Sequence, residues 1–328
     1  MLVVSGANGF LGSHFMIECI RRKKRITGLV RPNADRSYFN SLVQHYQINS
    51  EDLNLVNWCE IDYNDPFEVR EKLADHKVFV HCAGLICFDN SYKDDLIEAN
   101  RDLTESLVNA CIDLKFEKFI YLSSIATCSY MSNMQGKLED KFDSAYGLSK
   151  FLGELEVLRG EEEGLEGIIV RPGVVLGPPP PNNEFHQLFS WIKKGWTYAP
   201  VGSTGFVEII DLANYVADLA DGKEVVDNTA VSSSFKFAEL NAAIAKHLGI
   251  SKKVKPLSSA LLKAGSFITK IVYGFSKEPQ PLPKPAVDAL ISDSQYDSPE
   301  FATHYGSKQS PELITENMVS YLKSFGKS

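Results

Sequence analysis

Leu2-Val3-Val4-Ser5-Gly6-Ala7-Asn8-Gly9-Phe10-Leu11-Gly12 opens the chain with a short strand-favouring run, then three glycines spaced three apart, then a segment of helical periodicity. A strand that breaks at a glycine and leads straight into a helix aims the free N–H groups of the turn and the positive end of the helix dipole at one point. A pyrophosphate fits there. The amides of Gly6, Asn8, Gly9, Phe10, Leu11 and Gly12 are its candidate cradle. Glycine triplets are common, and it is the place of this one, on the first strand of the pattern, that gives it weight.

Working outward, residues 2–5, 26–30, 56–61, 78–81, 119–123 and 168–171 read as strands separated by helical patterns. That alternation predicts an α/β fold, a Rossmann doubly wound parallel sheet. Between the fourth and fifth strands, Leu96, Asn100, Leu103, Leu107, Cys111 and Leu114 recur at helical spacing, with Asn100 the polar member of the face. After Arg171 the texture becomes turn-rich, with Pro172-Gly173, Gly177 and prolines from 178 to 181. The expected division is a dinucleotide-binding domain over 1–176, with 206–222 returning to it, and a smaller substrate-binding lobe over most of 177–328. The proline run is expected to be a stiff surface loop joining the two.

The net charge of −8 in 328 residues argues against a nucleic-acid partner. The basic run from Arg21 to Arg25 reads as a solvated helix end, where cations oppose the dipole. Six cysteines form no C-x-x-C pair, and the apolar start runs into the glycine motif without a leader, so reduced thiols and a cytoplasmic location are expected. Beside His81, Cys82 and Cys87 lack a second ligand cluster, so a packed strand end is expected there and no metal.

Tyr146 and Lys150 stand four apart at the start of a helical segment and so share one face. A phenol of pKa ~10 is a poor acid or base at neutral pH, and a nearby ammonium would lower that value. The fifth strand ends in Ser123-Ser124, at the edge where open α/β sheets bind ligands; Ser124 is the candidate to orient a carbonyl oxygen. The second strand ends Val30-Arg31-Pro32 with no carboxylate, and Arg36 follows as a second cation. This favours NADP(H), with NAD(H) the alternative.

The glycine motif, Ser124, Tyr146 and Lys150 stand in the order and approximate spacing of the extended short-chain dehydrogenases/reductases, the NAD(P)-dependent epimerase/dehydratase superfamily, and the chain resembles that family over nearly its whole length. The resemblance implies catalytic roles for Ser124, Tyr146, Lys150 and Asn100. It implies cofactor contacts at Asp62 (adenine), at Cys82, Ala83 and Gly84 after the fourth strand, at Ser123, and at Pro172, Gly173 and Val174 beside the nicotinamide. Tyr146 and Lys150 would also touch the cofactor.

The family carries out simple carbonyl–alcohol interconversion and also nucleotide-sugar epimerisation or dehydration. No arginine follows Arg171, although a nucleotide diphosphate is usually gripped by arginine forks; Lys193 and Lys194 are the substitutes on offer. The stretch with Leu257, Leu261, Ile268, Ile271, Val272 and Phe275 is amphipathic and precedes a proline-rich segment, in the manner of dihydroflavonol reductase-like and 3β-hydroxysteroid dehydrogenase-like members. It is expected to be a core helix of the small lobe, ahead of membrane-surface attachment, because Lys263 and Lys270 interrupt it. The expected activity is therefore a reductase or dehydrogenase of a small apolar substrate, with the epimerase/dehydratase chemistry second and a non-catalytic cofactor sensor third. A homodimer is one assembly open to it; stable membrane insertion is not expected.

Overall fold

The computed structural model describes residues 1–328 except 130–136, 182, 274–277, 308 and 326–328, and except the side chains of Glu139 and Phe325. The strands are β1 (Leu2–Ser5), β2 (Ile26–Val30), β3 (Val56–Glu60), β4 (Val78–His81), β5 (Lys118–Leu122), β6 (Glu166–Pro172), β7 (Val174–Leu176), β8 (Tyr198–Ala199), β9 (Ser203–Glu208), β10 (Thr229–Ala230), β11 (Ser233–Lys236) and β12 (Lys255–Pro256). Seven of them form one parallel sheet in the order β10-β6-β5-β4-β1-β2-β3, the doubly wound arrangement expected. β11, β9 and β7 form a second sheet, and β12 pairs with β8.

Successive strand residues face opposite layers, which is why the strands are near-continuous apolar runs. Val4, Val80, Ile120 and Val170 pack under α1 (Phe10–Arg21), α2 (Ser37–His45) and, further along the chain, the helix Ile209–Ala220. Val3, Phe79, Phe119 and Ile169 pack under α3 (Pro66–Leu73), α5 (Leu103–Asp113) and α6 (Ala145–Glu162), with α4 (Lys93–Ile97) preceding α5. After α6 come α7 (Glu184–Lys193), α8 (the Ile209–Ala220 helix), α9 (Phe237–His247), α10 (Ser259–Tyr273), α11 (Lys284–Ile291), α12 (Pro299–His304) and α13 (Pro311–Phe325).

Three expectations are corrected here. The basic run is not simply solvated: Arg22 donates to Glu18 (2.6 Å), to Asp218 (2.5 Å) and to the Asn214 carbonyl (3.2 Å), clamping α8 onto α1, while Lys24 pairs with Asp221. The proline run is not a surface loop at its start, since Pro178 and Pro179 are buried and the Tyr38 hydroxyl donates to the Pro178 carbonyl at 2.5 Å. Nor is α10 a core helix. Leu261, Phe267, Ile268, Ile271 and Val272 are 60–67% exposed and only Leu262 is buried; Phe275 lies outside the described residues. The helix packs instead through its small and polar side, with Gly265 against Leu282 and with the Gln280 amide donating to Ser266 and Thr269.

Candidate active site

The glycine turn leaves β1 at Gly6, whose φ of +65° lies in the left-handed region that a side chain resists. A Cβ there would also meet the Ala83 backbone at 2.8 Å, and one at Gly12 would run into the Gly6 carbonyl. The first turn of α1 has no side-chain cap at Gly9 and no acidic residue. Its N–H groups and dipole are thus left for an anion, so the turn fits a dinucleotide pyrophosphate. Asn8 donates to the Asp35 carbonyl at 3.0 Å, which fixes the outer lip of the turn.

The other expected cofactor positions follow the ends of β2, β3, β4 and β6 along the carboxyl edge of the parallel sheet. Arg31 is exposed at the end of β2. Arg36 is more committed than expected: its guanidinium lies 4.8 Å over the Trp58 ring and 3.3 Å from Glu60. Asp62 is exposed just past β3 and accepts the Asn64 N–H at 2.9 Å. Cys82, Ala83 and Gly84 follow β4; the Ala83 N–H donates to Ser5, and burial pushes the Cys82 thiol up to about 12, so it serves as neutral wall. Pro172 ends β6, the Gly173 N–H donates to the Ala230 carbonyl at 3.0 Å, and Val174 starts β7.

His81 is a packed strand end. Its nitrogens face Ser5 Oγ at 2.6 Å and Thr104 Oγ1 at 3.1 Å, and burial lowers its pKa to about 3, so it is neutral. Thr104 donates to the Asn100 carbonyl at 2.7 Å. Asn100 itself sits in a single π-turn, Glu98–Asp102, between α4 and α5, and is fully buried. Its amide accepts the Leu85 N–H (2.8 Å) and donates to the Leu85 carbonyl (2.9 Å) and to Ser149 Oγ (3.0 Å). It therefore staples the loop after β4 to α6, one residue before Lys150.

α6 starts where Ser144 Oγ accepts the Gly147 N–H at 3.1 Å. Tyr146 and Lys150 follow one turn apart, both buried. Tyr146 forms an apolar cluster with Leu96 and Ala145, against which Leu85, Cys87, Phe88 and Ala126 pack, and the Phe88 ring is 5.6 Å from the Tyr146 ring. Burial raises its pKa, and the Ser124 hydroxyl beside it pulls the other way. The expected lowering by Lys150 is not seen in the protein alone. The Lys150 ammonium lies instead 4.2 Å over the Tyr121 ring, and burial lowers it to about 7, against an upward pull from Glu154.

Ser123 and Ser124 part company at the end of β5. Ser123 donates to the buried Glu154 at 2.5 Å, while Ser124 Oγ accepts the Ala126 N–H at 3.1 Å and faces Tyr146. Sequence reasoning missed Glu154, which also accepts Thr127 Oγ1 (3.1 Å) and both arms of Arg171 (2.8 and 2.7 Å). Its signal was available in part, since position 154 is one turn beyond Lys150 on the same helix face.

The model of the NAD dependent epimerase/dehydratase family matches residues 2–202, which take in the glycine turn, Ser124, Tyr146 and Lys150. The chain belongs to the NAD-dependent epimerase/dehydratase family. This epimerase/dehydratase-family chain is 29% identical to dTDP-4-dehydro-6-deoxy-D-allose reductase of a Streptomyces species over 192 residues, 54% of this chain and 56% of that protein. It is 22% identical to a putative dihydroflavonol 4-reductase of Synechocystis over 191 residues, 55% of this chain and 52% of that one. The chain spans about half the length of these curated relatives. The fold resembles that of UDP-glucuronic acid 4-epimerase from Bacillus cereus, solved with UDP-glucuronic acid and NAD, with a TM-score of 0.70 and 19% identity over 99% of each chain. The family match covers residues 2–202, and over the rest of the chain the likeness is one of fold.

Proposed function

We propose that the chain is an NAD(P)-dependent oxidoreductase that interconverts a carbonyl and an alcohol on a small apolar substrate, with Ser124, Tyr146 and Lys150 at its reacting centre. The observation that carries this reading is the buried Tyr146 phenol in an apolar wall, with the Ser124 hydroxyl beside it. A dinucleotide bound on the glycine turn would supply or accept the hydride. Tyr146 carries its proton at neutral pH, as a donor to a carbonyl oxygen must, and the Ser124 hydroxyl opposes the rise in its pKa that burial causes. Ser124 holds that oxygen by a hydrogen bond, and Asn100 positions α6 through Ser149. Gly6, Gly9, Gly12 and the first-turn amides would hold the pyrophosphate, and Lys150 the nicotinamide ribose. For the adenosine end we propose NADP(H), with Arg31 on the 2′-phosphate; the family's description supports NAD(H) as the alternative.

A second reading is a nucleotide-sugar substrate, favoured by the name of the Streptomyces relative. Against it, Arg171, the last arginine of the chain, has its guanidinium bound by Glu154 and is not offered to a diphosphate. The test is turnover of carbonyl compounds and nucleotide sugars by wild type and Tyr146→Phe. Loss of the phenol should cost ~10²–10⁴-fold in turnover while cofactor affinity survives. Near-normal turnover by the variant would overturn the assigned role, and micromolar affinity for a nucleotide sugar would put the second reading first.

A further inference from the structure

The apolar face of α10 points away from the protein. On a helical projection Leu261, Ala264, Phe267, Ile268, Ile271 and Val272 form one stripe, and all are exposed. Lys263 and Lys270 border it. The residues on the opposite side, Gly265, Ser266 and Thr269, are those held by Leu282 and Gln280.

Charge is arranged to match. From 252 to 284 the sequence holds seven lysines and a single acidic residue, Glu278, in a chain whose net charge is −8. Just ahead of α10, β12 runs beside β8, with Lys255 opposite Tyr198. On the β8 side Trp191, Trp196 and Tyr198 are exposed, and the Trp196 and Tyr198 rings lie 5.1 Å apart.

We propose that this face is a membrane-docking surface, in which α10 lies in the plane of an anionic bilayer with its stripe among the acyl chains, its lysines at the headgroups and the Trp–Tyr pair at the interface. Three features select lipid over a second protein. Aliphatic side chains dominate the stripe, lysine is depleted in protein–protein interfaces, and the basic segment complements anionic headgroups rather than a particular protein surface. Exposed tryptophan and tyrosine beside it fit the interfacial belt. At 15 residues α10 is about 22 Å long, below the ~20 residues needed to span, and among the described residues no helix is long and apolar enough to cross a membrane. In-plane attachment is the geometry that remains. It stands independently of the chemistry proposed for Tyr146.

The test is sedimentation of the full chain with vesicles of phosphatidylcholine alone and of equal parts phosphatidylcholine and phosphatidylglycerol. The chain should bind the anionic vesicles, lose them as salt is raised, and lose them in Ile268→Glu. Lys263→Glu/Lys270→Glu should weaken binding by roughly tenfold or more, since each lysine near an anionic surface contributes about fivefold. Dinucleotide binding by the variants confirms that they are folded, and all three substituted side chains are exposed on α10. Absence of binding, equal binding to both vesicles, or a concentration-dependent dimer abolished by Ile268→Glu would overturn the proposal.

Discussion

Removing the Glu154 carboxylate should cost the fold about 3–5 kcal/mol, the range for breaking a buried ion pair from one side. Glu154 is 1% exposed and accepts four hydrogen bonds: two from Arg171, one from Ser123 and one from Thr127. Glu154→Ala leaves the partly buried Arg171 guanidinium without its counter-charge and the Ser123 hydroxyl without its acceptor, while Thr127 keeps the Ser124 carbonyl at 2.9 Å. With about 2.1 cal/mol/K of unfolding entropy per residue, roughly 0.7 kcal/mol/K for this chain, Tm should fall by about 4–7 °C. Arg171→Met in the same background should recover at least half of the loss, because no unpaired charge is then buried. Thermal and urea unfolding of the four proteins in the cycle measure both quantities. A loss under about 1 kcal/mol, the value of a surface pair, or no recovery in the double variant would refute the reasoning. Glu154 also holds up the Lys150 pKa, so the isosteric Glu154→Gln should shift loss of the Lys150 ammonium to lower pH. A merely structural role would leave that titration unmoved.

Burial lowers Lys150 from its ordinary 10.5 to about 7, so between those values the unfolded chain binds a proton that the native chain does not, and this group's contribution to stability rises with pH. Lys150→Met should therefore stabilise the dinucleotide-free protein more below pH ~7 than near pH ~10 in urea unfolding; equal gains at both would contradict the desolvated site. Arg31→Ala should remove about 1.5–3 kcal/mol of NADP(H) affinity and leave NAD(H) nearly unchanged, as read by fluorescence titration of both cofactors. Gly12→Ala, whose methyl would collide with the Gly6 carbonyl, should abolish dinucleotide binding; an unchanged Kd would show that the turn is not the cradle.

Local signals carried much of the frame. The strands at 2–5, 26–30 and 78–81 were legible to the residue, because a buried parallel strand is a short apolar run between turn signals. The glycine turn was legible because positive φ and close backbone approach admit little else. Tyr146 and Lys150 could be paired because helical spacing fixes which side chains share a face. Other features lay beyond that reach. β10 and β8, two residues each, are too short to show a period. The π-turn that holds Asn100 leaves no mark in the spacing of the apolar residues around it. Glu154 looked like one more acid on a charged helix until Ser123, Thr127 and Arg171 met it from three other places in the chain. The α10 stripe shows the same division, since periodicity reveals that a helix has an apolar face, but which face meets the protein depends on distant partners such as Gln280 and Leu282. The sequence by itself determined what repeats at short range, the sheet, the cradle and the helix face of the reacting pair; tertiary structure alone decided the burial, the partners and therefore the charge states, because these depend on contacts between residues far apart in the chain.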